Sequence, residues 1–187
     1  SSTVVPNSSR VQDKVVLAET LGLTRSNPEY YALELGNHVL GGAFYATRFY
    51  KDLRQERGLV YYVVTEFDVR RTRGHYIVEY GCDPINVSKA RSIIVRDLEQ
   101  MTAEPVSEDE LMQARRLLIR QIPLSESSIS DIAQGMISRT VLDLPLDEPT
   151  VAAHHYMKLN ADQVKAAFAK YIRPKDLVQV VEGPSPQ

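Results

Sequence analysis

A chain of 187 residues with 43% hydrophobic and 25% charged side chains has the size and apolar content of one large domain with a full core. A formal charge of −2 removes the electrostatic case for nucleic acid, which needs a net basic face, and no apolar run approaches the roughly 20 residues that cross a bilayer. The single cysteine, Cys82, rules out an internal disulfide.

In chain order, the Ser-rich start SSTVVPNSS reads as a linker end, so residues 1–10 are set apart from a single domain over 11–187. Val11 to Leu23 is a first strand, followed by a turn at Ser26-Asn27-Pro28, with Pro28 suited to the first turn of a helix. Tyr31, Leu35, His38 and Val39 recur at helical spacing until Gly41-Gly42 interrupts. A second helix puts Ala46, Phe49, Tyr50 and Leu53 on one face, with Arg54 in its last turn and Gly58 as the left-handed residue that ends it. Val60–Val69 and His75–Cys82 alternate and are joined by an Arg-rich connection ending at Gly74, the pattern of an antiparallel hairpin. The same alternation puts Cys82 on an apolar face with Tyr76, Val78 and Tyr80, where a thiol is buried and inert.

After Asp83-Pro84, Val87, Ala90, Ile94, Leu98 and Met101 form a helical stripe. Ser107 and Glu110 form a capping box for a helix that runs to Pro123. Helices over about 125–142 and 150–159 follow, and Asn160 caps a last one that ends before Pro174. Leu177–Val181 is a closing strand. This order predicts an α+β fold, an antiparallel sheet covered by helices on one side.

The chemistry-bearing residues are few. His38, His75, His154 and His155 give no pair with Glu at metal-ligand spacing. His75 and Glu79 share a strand face but lie roughly 13 Å apart, and adjacent His154 and His155 point in different directions. No metal site is expected, and no G-x-S-x-G elbow, phosphate loop or dinucleotide turn is present. Two charge clusters, Arg48 to Arg73 and Asp97 to Glu110, read first as solvated faces. Arg54 and Tyr61 are delivered to one neighbourhood, where a guanidinium and a phenol can grip a carbonyl; spacing alone favours a solvated arginine and a core aromatic. Gly41-Gly42 reads as a helix break or as a close approach to substrate.

The segment Asn37–Tyr61 decides between these readings. Asn37, Leu40, Gly41, Gly42, Phe44, Arg48, Phe49, Leu53, Arg54, Arg57, Gly58, Leu59 and Tyr61 carry the pattern L-G-G-x-F-x-x-x-x-F-x-x-x-L-R-x-x-x-G-L-x-Y. This resembles the non-catalytic, C-terminal domain of the pitrilysin/insulinase metallopeptidases, and the resemblance extends in outline to the closing V-Q-V-V-E-G-P. It implies a zinc-free domain: zinc is expected in a partner domain or subunit carrying H-x-x-E-H, and this chain is expected to be inactive alone. The resemblance also implies an extended peptide substrate held in a chamber between two halves, with Arg54 and Tyr61 contacting it and Arg57, Gly41 and Gly42 as further contacts. Arg48 is expected to pair with an interior acid. The alternative is a non-enzymatic structural or partner-binding protein of the same fold, like core subunits of respiratory complexes. No charged-then-apolar leader opens the chain, and the compartment stays open: bacterial periplasm or cytoplasm, or mitochondrial in a eukaryote.

Overall fold

Strict alternation of side chains builds the sheet. The computed structural model describes residues 1–43 and 45–184; Phe44 of the motif lies outside the described residues. In β2 (Asp13–Leu21), Val15, Leu17 and Leu21 are buried while Lys14, Val16 and Ala18 are half-buried. In β4 (Gly74–Cys82), Tyr76, Val78, Tyr80 and Cys82 point inward and are fully buried, and in β3 (Tyr62–Val69) Val63, Phe67 and Val69 do the same. Period-2 burial on one face is what a sheet covered on one side requires. With β5 (Val178–Gly183) and β1 (Ser2–Pro6) the order is β1-β5-β2-β4-β3. The β3–β4 hairpin and the β2–β4 and β2–β5 pairs are antiparallel, as predicted.

The first residues correct the sequence reading. Ser2–Pro6 is not a loose linker but an edge strand parallel to β5, anchored by the Asn7 amide N–H donating to the Gly183 carbonyl at 2.7 Å. All five of its side chains are exposed, so the strand is made chiefly by backbone pairing and leaves no hydrophobic period to read. Pro6 at its end is compatible with an edge.

Helices α1 (Glu29–Leu40), α2 (Val87–Ala103), α3 (Glu108–Leu124), α5 (Glu148–Lys158) and α6 (Ala161–Tyr171) make the covering layer. The α2 stripe Val87, Ala90, Ile94, Leu98 and Met101 is buried throughout, each large side chain contributing about 1.5–3 kcal/mol relative to exposure. Phe168 of α6 lies edge-on to Phe67 of β3 at 6.3 Å, and the Tyr80 hydroxyl donates to the Val87 carbonyl at 3.1 Å, tying sheet to helices. Cys82 sits in this layer and burial pushes its thiol up to about 12, so it is inert at neutral pH.

Both N-terminal signals are present as capping boxes, Ser107 with Glu110 and Asn160 with Gln163. Pro123 does not stop α3; it lies inside the last turn, which closes at Leu124. The next helix, α4 (Ile129–Val141), begins at the Ser128 cap rather than at Ser125 and buries no residue.

Candidate functional site at the end of the hairpin

The predicted second helix is wider than an α-helix: Tyr50–Glu56 is π-helical, and Ala46, placed on its face by spacing, lies outside it, exposed and with φ 61°. Phe49 and Leu53 are fully buried and anchor this turn to the core. Gly58 ends it with φ +60°, the left-handed conformation a side chain would strain. The Gly58 N–H donates to the Arg54 carbonyl at 3.2 Å and the Leu59 N–H to the Leu53 carbonyl at 2.8 Å. The first is the ordinary bond of a glycine-ended helix; the second reaches one residue farther back than usual, the widening a π-turn imposes. π-turns occur often at functional sites, and this one presents Arg54.

Arg54 and Tyr61 do meet, through the backbone. Arg54 Nη1 donates to the Val60 carbonyl at 3.3 Å and to the Tyr61 carbonyl. The Tyr61 N–H in turn donates to the Gly81 carbonyl at 2.7 Å, fixing the residue at the mouth of the hairpin. Its phenol leaves the core, 46% exposed, and donates to both carboxylate oxygens of Asp83 at 3.0 and 3.1 Å. That bond raises the phenol's pKa, so it remains a proton donor through the neutral range. The core-aromatic reading of Tyr61 is therefore excluded by its exposure. Asp83 was not singled out by sequence; Asp83-Pro84 read only as a turn, and its carboxylate faces Tyr61 because the chain leaves β4 there.

Gly41 and Gly42 stand where backbone must come close to side chains. Both N–H groups donate to the Asn37 carbonyl at 2.9 and 2.8 Å, and the Gly41 carbonyl accepts from the Thr65 N–H at 3.3 Å. A Cβ on Gly42 would lie 2.5 Å from Asn37 Nδ2, and one on Gly41 2.9 Å from the Thr65 methyl. Buried Asn37 completes the lock by accepting from the Thr65 hydroxyl at 2.5 Å. The loop thus covers the free edge of β3 at Thr65, where an added strand would need those backbone groups. Beside it opens a cleft of about 630 Å³ lined by Gly41, Gly42, Ala43, Val64, Thr65, Leu117 and Gln121, among others.

Arg57 turns the other way. It pairs with Asp52 and, at 3.6 Å, with Glu56, while Arg96 also pairs with Asp52 and bonds Asp97 at 2.6 Å. Arg48 pairs with an acid, but a half-buried one at the start of α3 rather than an interior one: Nε and Nη2 reach the two oxygens of Glu110 at 2.6 and 2.8 Å. Glu110 thus closes the α3 cap and clamps the π-turn at once, and the Arg48 guanidinium lowers its pKa to about 2. The Arg48 and Asp97 clusters, read from sequence as solvated faces, are joined at two points, directly by Arg48–Glu110 and through the Arg57–Asp52–Arg96–Asp97 chain.

The donor set does not suit a metal. Among the described residues no group of three or more His, Cys, Asp or Glu side chains could hold an ion. His38 lies beside Glu34 at 3.4 Å, and His155 stacks on Tyr31 with ring centroids 4.2 Å apart. Neither histidine has the further converging ligands that zinc needs among the described residues.

Sheet order and a one-sided helical layer define the class: an α+β domain with an exposed Arg/Tyr pair and no group of converging metal ligands among its described residues. Residues 2–118 match the family described as the peptidase M16 inactive domain, and the chain belongs to that family. It is similar to the peptidase M16 inactive domain from Pseudomonas fluorescens, at 26% identity and TM-score 0.82, over 98% of this chain and 43% of that one. It shares its fold with a protease from Helicobacter pylori (16% identity, TM-score 0.84, 98% and 44% covered). The same holds for a chain of complex III2 from Candida albicans (14%, TM-score 0.83, 98% and 46%). The chain spans less than half the length of these relatives. No curated protein matches it in sequence.

Proposed function

We propose that this domain is the zinc-free, C-terminal half of a zinc endopeptidase, closing a peptide chamber and offering Arg54 and Tyr61 to the substrate. The observation that carries the reading is the exposed, preorganised pair at the hairpin mouth, with Arg54 latched to the Tyr61 carbonyl. Nη1 makes both backbone contacts, so Nε and Nη2 are the donors a peptide carbonyl would meet. Tyr61 would exchange Asp83 for the substrate's backbone. A preorganised guanidinium stabilises the charge that develops on an attacked carbonyl by up to about 3 kcal/mol, and the phenol by less, because it first gives up its bond to Asp83. Hydrolytic chemistry belongs to a partner domain or subunit bearing H-x-x-E-H. Gly41 and Gly42 shape the cleft beside the covered edge, where a side chain of an extended peptide could enter. Arg57 contributes from behind, holding the turn that presents Arg54.

The test uses the native protein together with whatever is attached to this chain. Cleavage of an unstructured peptide should be abolished by a zinc chelator, and Arg54→Ala should lower turnover about a hundredfold while the fold stays intact. Unchanged turnover removes Arg54 from the site. An intact assembly without peptidase activity favours a structural role in this fold.

A further inference from the structure

The helix α4 is built inside out. Ile129, Ile132, Ala133, Met136, Ile137 and Val141 follow the i, i+3, i+4, i+7, i+8 spacing of a core-facing stripe. All six are exposed, Ile129 by 88% and Ile137 by 58%. The half-buried side instead carries Gly135 and Arg139, and the helix pairs that pack closely, such as α1 with α3 and α2 with α6, leave α4 out. Exposed Leu124 before it and Leu146 after it extend the apolar surface along the same segment. Together these side chains offer on the order of 500 Å² of apolar surface, at the upper end of what a lone soluble domain shows. That is more than half of the ~800 Å² each partner contributes to a stable interface.

We infer that the α4 stripe is the seat of the zinc-bearing partner domain. The inference rests on the function proposed above and adds the surface through which the two halves join. Charge decides between classes of occupant. Ile129–Val141 carries one acid, Asp131, and one base, Arg139, whose guanidinium pairs with Glu126, so the helix itself is neutral. A membrane-surface helix or a nucleic-acid contact needs a basic polar face, and α4 has none. An uncharged stripe of Ile and Met is the composition of a lasting protein interface. Relatives supply the candidate for that surface: their chains run to more than twice the length matched here. Three turns of apolar helix left open by this domain therefore have a neighbour to cover them.

The experiment pairs this chain with the H-x-x-E-H domain encoded in the same polypeptide or the adjacent reading frame, both purified. Hydrogen exchange in α4 should slow on mixing, and Met136→Glu/Ile137→Glu should weaken binding at least a hundredfold. The double variant should keep its circular dichroism and melting temperature, since neither side chain is buried; if it does not, Ile137→Ser replaces it. Binding that survives the substitution with α4 unprotected overturns the inference and leaves the proposed function standing. No association of the unaltered chain with that domain overturns both. A wild-type chain that dimerises alone, and is made monomeric by the substitution, overturns the choice of occupant in favour of a second copy.

Discussion

Helices α2 and α4 carry the same message in sequence and meet opposite fates. Val87, Ala90, Ile94, Leu98 and Met101 recur at the helical period and are buried against the sheet. Ile129, Ile132, Met136, Ile137 and Val141 recur just as regularly and face solvent. Hydrophobic period identifies a face and leaves open what covers it. For α2 the cover is this chain's own sheet. For α4 no cover is present among the described residues.

The sharpest test of that contrast makes the same chemical change in both helices. Ile94→Ser should cost about 4 kcal/mol, because it empties a fully buried site and leaves a hydroxyl without a partner. Ile137→Ser should stay within about 0.5 kcal/mol in the isolated chain. Urea unfolding of the two variants measures both. A loss above about 2 kcal/mol for Ile137→Ser would mean that α4 is already covered in solution, and the contrast would break.

The site region offers a second, smaller effect. Gly42→Ala would place a Cβ against Asn37 Nδ2, which is held in the buried lock with Thr65 and cannot retreat without losing it. We expect a loss of about 2 kcal/mol, with the β3 amides next to Thr65 exchanging faster. No such lock restrains α4, where backbone changes should be absorbed.

These locks also mark the limit of what was legible. Gly58, the hairpin, Cys82 and both capping residues were readable because each obeys a local rule of backbone conformation or period. So was Arg48's need for an acid, although Glu110 as the partner was not: residues 48 and 110 are joined only by folding. The π-turn at Tyr50–Glu56 has the composition of an α-helix and departs from it through its fit to neighbours. Strand β1 has no inward face, so nothing in its side chains announces it. At the site, sequence brought Arg54 and Tyr61 to one place, but not the manner of their meeting. That the guanidinium grips the Tyr61 carbonyl while the phenol turns to Asp83 follows from where β4 ends.

The Arg48–Glu110 clamp predicts an acid-range signature that α4 lacks. Glu110 has a folded pKa of about 2, below its ordinary value. Its contribution is therefore present above the unfolded pKa of about 4.3 and is lost as pH falls toward 2. Glu110→Gln should cost about 1–2 kcal/mol at pH 7, after allowance for a pair that is about a third exposed, and nothing near pH 2. Melting temperatures of wild type and variant across pH 2–7 should converge at the acid end. Parallel curves would show that packing, not the charge, is what the substitution removes.

The smallest expected effect tests which side of α4 is in use. Gly135 sits mid-helix on the half-buried side, and the nearest atoms a Cβ there would meet are those of the Arg139 guanidinium, from 3.3 Å, the far end of a flexible side chain. Gly135→Ala removes a backbone-entropy cost of about 0.5–1 kcal/mol and should raise the melting temperature by about 2 °C. Because position 135 lies off the apolar stripe, docking of a partner domain should be unaffected. A variant that is more stable yet docks more weakly would place the partner over the Gly135 side, where only glycine admits a close approach, and the exposed stripe would then need another explanation.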